Sequence, residues 1–232
     1  KIIFVIVEGP SDEEALGVLL NRIYDKQAVY VHVMHCDITT KYGVNSSNIV
    51  ARIGNLVKDY AGRTFKPSDF SQIIHITDTD GAFIPDNVVV QDDTATSPIY
   101  STTGIRTQQK GRIVSRNHQK QENLNRLSSL SKIWNVPYHI YYMSCNLDHV
   151  LYGKLNTTDD EKEKDAFAFA KKYKENIPCF ISFIRESDFS VIDSYPQSWQ
   201  YIREGLNSLE RHTNLGLCFN AEVSTLENTS SQ

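Results

Sequence analysis

Asp78 and Asp80 stand one residue apart where the apolar run "QIIHIT" (72–77) gives way to "DTDG". In an extended segment, alternate residues point to one side, so both carboxylates would face one ion. Glu8 ends an earlier apolar run, "IIFVIV" (2–7), and Asp12 follows in "PSDEE". If the two runs are neighbouring strands of an open parallel sheet, three or four carboxylates converge at the strands' carboxyl ends, where such sheets bind ligands. Like charges gathered this way call for a counter-charge, most simply a divalent cation. Mg²⁺ or Mn²⁺ held there would polarise a phosphate and lower the pKa of an attacking water. Plainer readings stand beside this one. Asp12 can simply favour a positive helix N-terminus, and "DTDG" can be an ordinary turn.

The elements that must position these groups follow an alternating rhythm. Residues 2–7 are a continuous β-branched run and read as a strand buried on both faces. Ser11 reads as a helix start with Glu14 completing a capping box, and Ala15, Leu16, Leu19, Leu20 and Ile23 give that helix one apolar face. A second strand is expected over 28–36, a helix over 47–60 and a third strand over 72–77. A helix around 119–134, a fourth strand over 137–143 and a helix start in "CNLDHVLYG" (145–153) complete the set. The expected fold class is therefore α/β, a Rossmann-like parallel sheet of about four strands flanked by helices, with right-handed crossovers.

Residues 81–118 break the rhythm and read as an insertion loop. From Thr94 to Gln121 there is no acidic residue, while Arg106, Lys110, Arg112, Arg116 and Lys120 are basic. Arg112, Arg116 and Lys120 are the candidate phosphate contacts. A solvated surface loop is the plainer alternative. His118 could protonate a leaving group or be only a surface residue, and Lys154 could neutralise developing charge. Residues 156–232 read as a mostly helical C-terminal extension to a catalytic domain over 1–155. Within it, 161–176 carry Ala166, Phe167 and Ala170 as an apolar face and a charge run that reads as solvated. A further helix is expected over 196–212, and the last ten residues are polar and read as frayed.

Composition narrows the function classes. The net charge is -4, so a nucleic-acid partner needs a local basic patch. Cys36, Cys145, Cys179 and Cys218 lack metal-ligand spacing and read as buried thiols in a reducing cytosol. No apolar run reaches the ~20 residues of a membrane span, so no membrane partner is expected. The run at 2–7 meets Glu8 at once and does not read as a signal peptide, and a chain opening on Lys1 reads as trimmed or processed.

"VEGPSDEEAL" (7–16) followed by "ITDTDG" (76–81) resembles the Toprim domain, with its glutamate-glycine turn after the first strand and Asp-x-Asp after the third. The resemblance covers about residues 2–155 and is nearest in form to the OLD, RloB-like and abortive-infection branch. It implies a metal-dependent nuclease, an effector of antiphage defence or a toxin, acting on DNA or RNA, tRNA included. Glu8, Asp78 and Asp80 are then the implied catalytic residues, with Glu8 completing the metal site or acting as general base. Asp12 and Asp148 are the implied ligands of a second ion, although that branch usually has Glu where this chain has Asp148. Relatives of this kind are often coupled to an ATPase. With no G-x-x-x-x-G-K-[ST] loop in this chain, any ATPase or inhibitor subunit would be separate. A homo-oligomer and a cytoplasmic location are further expectations. Two rivals remain: a non-catalytic Toprim-like binding or regulatory subunit, and a HAD-type phosphatase, which "ITDTDGAF" also resembles. In the latter, Asp78 would be a nucleophile and Asp80 a general acid. Against it, the motif ends the third strand, and Ala82 stands where that family prefers Thr.

Overall fold

The computed structural model describes residues 1–24 and 30–219. In chain order the main elements are β1 (Ile2–Val7), α1 (Pro10–Tyr24), β2 (Tyr30–His35), α2 (Ile49–Ala61) and β3 (Phe70–Asp78). Then come β4 (Val89–Gln91), β5 (Ile99–Ser101), β6 (Gly104–Thr107), α3 (Lys110–Ser128), β7 (Lys132–Ile133) and β8 (Val136–Met143). Four helices follow, α4 (Leu147–Tyr152), α5 (Asp159–Tyr173), α6 (Ile177–Glu186) and α7 (Tyr195–Ile202), with a 3₁₀ turn at Leu215–Phe219.

The main sheet has the order β2-β1-β3-β8-β7, and all its pairings are parallel except that of the two-residue edge strand β7. This is an α/β fold of Rossmann-like kind. The chain leaves β1 for β2 on one side and returns to β3 on the other, so the topological switch lies between β1 and β3. Both strands are apolar because both faces are covered. Ile3, Val5, Val7, Ile74 and Ile76 face α1, α5 and α6, and Phe4, Ile6 and Ile73 face α2, α3 and α7. On α1, Leu16, Leu19 and Leu20 are wholly buried, each contributing roughly 1.5–3 kcal/mol by burial.

The elements after residue 156 do not stand apart. Phe169, Tyr173, Phe180, Ile184, Leu215 and Phe219 share one core with Leu16 and Leu19 of α1. Segment 198–214 also braces the sheet's carboxyl edge. Thr79 Oγ1 donates to the Ser208 carbonyl at 2.8 Å, and Tyr142 N–H donates to Asn214 Oδ1 at 2.8 Å.

Several sequence expectations need correction. The stretch 81–118 is not structureless: it forms a second sheet, order β4-β6-β5, and the first half of α3. That helix starts at Lys110 rather than near 119, and its first turns were not legible because its inward face, Ile113, Asn117, Lys120, Asn123, Leu124 and Leu127, is polar at three of six positions. Helical spacing is present, but apolar periodicity is not. On α5 the buried stripe is Ala166, Phe169, Ala170 and Tyr173, while Phe167 is 59% exposed. The helix expected to reach 212 stops at Ile202, with Gly205 at φ 53° beyond it. Of the cysteines only Cys145 is buried, and Cys179 is exposed. Residues 28–29 of the expected second strand and the polar last ten residues lie outside the described residues. No helix among the described residues is long and apolar enough to cross a membrane.

Candidate functional site

Strand alternation decides where each acid points. Glu8 continues the Phe4–Ile6 side of β1 towards α3, and Asp78 continues the Ile74–Ile76 side of β3 towards α1. Glu8 Oε1 accepts from Thr77 Oγ1 at 2.6 Å and from the Asp78 N–H at 3.0 Å, tying the ends of the two strands together. Asp12 sits in the first turn of α1, where its Oδ2 accepts the Gly9 N–H at 2.9 Å. That is one half of a capping box with Pro10 in the first helical position, so Asp12 does the work expected of Glu14. Asp148, in the first turn of α4, accepts from Thr157 Oγ1 at 2.6 Å.

These four acids share a cleft of about 310 Å³ at the sheet's carboxyl edge, with Asp37, Asp159 and Lys162 also on its wall. Asp37 follows β2, and Asp159 and Lys162 begin α5. The sequence reading missed all three. Asp37 follows a strand end as Glu8 does, and that position was the available signal. Lys162 lay hidden in a charge run read as solvated.

The cleft holds more negative charge than its cations match. Burial lifts the Glu8 carboxyl to about 7; Lys120 pulls it down, and Asp80 and Asp37 push it up. Asp12 rises to about 6 through burial and the nearby Asp148, against the Gly9 hydrogen bond. Asp78 is raised well above the carboxylate range by burial, then by Glu8, Asp12 and Asp80. Burial raises Asp148 too. Asp80 goes the other way: burial opposes its charge, but Lys120 and Arg116 outweigh it and hold the carboxyl low.

Asp80 does not face the cleft beside Asp78. The strand ends at Asp78, and Thr79–Ala82 close a turn in which Ala82 N–H donates to the Thr79 carbonyl at 2.8 Å. Its central residues, Asp80 and Gly81, have φ of 50° and 69°, the signs of a type I′ turn, which favours Asp-Gly. The turn reading of "DTDG" therefore holds for its last two residues. The Asp80 carboxylate instead meets Lys120 Nζ at 2.5 Å, and the same ammonium lies 3.0 Å from Glu8 Oε1. Lys120 is wholly buried, so it is an internal counter-ion rather than a surface phosphate contact.

The other basic candidates also lie away from the cleft wall. Arg116 donates to the Asp80 carbonyl at 2.8 Å and to Tyr100 Oη at 2.6 Å. Arg112 is exposed and donates to Gln109 Oε1 at 3.2 Å. His118 pairs with Asp86 at 2.8 Å, and Lys154 with Asp165 at 2.6 Å. Among the described residues, Lys162 is the one cation on the cleft wall.

Among the described residues, no group of three or more His, Cys, Asp or Glu side chains is arranged to hold one metal ion. Comparison with protein-family models, curated proteins and solved structures finds no match to this chain.

Proposed function

We propose that this chain is a Mg²⁺- or Mn²⁺-dependent phosphodiester hydrolase of Toprim type, a nuclease. One observation carries the reading: Glu8 and Asp78 end adjacent parallel strands at the sheet's switch point and share a cleft with Asp12 and Asp148. Ligands of open α/β sheets bind at that position. The donors are all hard oxygens; burial raises their carboxyls most, neighbouring acids raise them further, and a cation would offset that second contribution. Asp78 and Asp12, or Asp12 and Asp148, are the residues that would hold it, two at a time. Mg²⁺ commonly keeps several waters and takes one or two carboxylates plus substrate phosphate, so a preassembled three-acid cage is not required. When bound, the ion supplies charge neutralisation at the phosphate and a more acidic water.

Glu8 is the general base of this reading. A carboxyl titrating near 7 can take a proton at neutral pH, and Lys120 and Thr77 fix its Oε1. Asp80 keeps Lys120 in place and is a positioning residue. A role in antiphage defence or as a toxin, with a separate ATPase or inhibitor subunit, belongs to this proposal through the Toprim resemblance alone.

A second reading, an idle binding or regulatory module, is favoured by the lack of a three-acid metal group among the described residues. The phosphatase reading is weakened because Asp80, ion-paired and held ionised, is a poor general acid. The test is incubation with plasmid DNA, single-stranded DNA and total tRNA in Mg²⁺, Mn²⁺ or EDTA, with Asp78→Ala alongside. Cleavage that needs metal and disappears in the variant supports the nuclease. Equal cleavage by both proteins overturns the assignment of Asp78.

A further inference from the structure

Beside the acidic cleft runs a second, larger groove of about 730 Å³ between the small sheet, the loop after β2 and the first turns of α3. Its character is opposite. Arg112 and Arg116 line it, the rest of its polar lining is neutral hydroxyls and amides, and no acidic side chain lines it among the described residues. At its rim stands Tyr42, whose side chain is fully exposed.

Two sets of contacts link the groove's lining to that of the cleft. Thr40, on the groove wall, donates through Oγ1 to Asp37 of the cleft at 2.5 Å. Arg116, also on the groove wall, donates to the carbonyl of Asp80, whose carboxylate meets Lys120 and through it Glu8. The Thr40–Asp37 contact sets the groove wall beside the cleft wall, whereas the Arg116–Asp80–Lys120–Glu8 link runs through the protein interior.

We infer that this groove binds single-stranded nucleic acid, with an unpaired base on Tyr42 and a phosphate on Arg112, and feeds the strand to the acidic cleft. The inference rests on the reading that the cleft acts on phosphodiesters. Three observations select this occupant. An exposed aromatic side chain can stack only on a base that is free of its own stack, which a duplex does not offer. Duplex binders neutralise many phosphates, whereas this groove offers two arginines. One of them, Arg116, is already engaged with Tyr100 and Asp80. Neutral amide and hydroxyl groups are suited to the exposed edges of unstacked bases.

The test is fluorescence anisotropy in EDTA, so that binding is read without cleavage. The probes are labelled single-stranded DNA and RNA oligonucleotides of about 12 nucleotides, with a duplex of similar length. Wild type should prefer one or both single strands, and whichever binds names the source. Tyr42→Ala should weaken that binding about tenfold, and Arg112→Ala should lower the salt slope by about one. Both side chains are exposed, so folding should be unaffected, and circular dichroism checks this. Equal affinity for duplex, absence of binding, or variants that bind like wild type would overturn the inference. Single-strand binding that depends on Tyr42, with no metal-dependent cleavage of any probe, would uphold the groove and defeat the nuclease reading.

Discussion

The ammonium of Lys120 lies 3.0 Å from Oε1 of Glu8, wholly inside the protein, and links α3 to the carboxyl end of β1. The same nitrogen meets Asp80 at 2.5 Å, so one lysine bridges the acid after β1 and the acid in the turn after β3. Burial disfavours its charge, yet Asp80 and Glu8 outweigh that and raise its pKa above the ordinary lysine range. Lys120→Met leaves both carboxylates without that partner and should cost about 3–5 kcal/mol in chemical denaturation. Adding Asp80→Asn should recover part of the loss. A Lys120→Met protein as stable as wild type would contradict the counter-ion role.

Asp12→Asn should become more stable than wild type as pH rises. The Asp12 carboxyl is lifted from the ordinary 3.8 to about 6. The native state therefore holds its proton more tightly than the unfolded chain does. The stability this group contributes is present below the unfolded value and is lost as pH climbs through the folded one. The variant has no such group, and its amide oxygen can still accept the Gly9 N–H. Its advantage should grow between pH 3.8 and about 6, at most roughly 1.4 kcal/mol per pH unit, and then level off. Urea denaturation at several pH values reads this directly, and a gap that shrinks with rising pH would refute it.

Gly81→Ala should destabilise the protein by about 1–3 kcal/mol, seen as a lower Tm. Gly81 has φ of 69°, and an added Cβ would stand 2.7 Å from Leu209 Cδ2 and 3.3 Å from Ile105 Cδ1. That turn separates Asp80 from Asp78, so the variant should also weaken the Asp80–Lys120 contact. An unchanged Tm would show that the turn tolerates an L side chain.

Much of this arrangement was legible in the sequence, for physical reasons. β1, β3 and β8 are buried on both faces and so read as continuous apolar runs, and the acids that end β1 and β3 marked the carboxyl edge. Asp12 was found by its place in a first helical turn, and Asp148 only through the Toprim resemblance of "CNLDHVLYG". What was hidden depended on contacts between distant segments. Nothing local to Lys120 reveals that it is buried against Glu8, 112 residues away. The strands β4 to β6 are three or four residues long and carry no alternation to read. Asp80 was misdirected because extended geometry was assumed to run on to Asp80, two residues past the end of β3.

The most direct measurement is calorimetric titration of Mn²⁺ into the wild type and into Asp78→Asn at neutral pH. If the cleft carboxylates form the cation site, wild type should bind the ion and release protons as its raised carboxyls ionise. The variant should lose most of the heat, with its fold unchanged by circular dichroism. Binding of equal strength in both proteins, or none in wild type, would contradict a divalent-cation site built on Asp78.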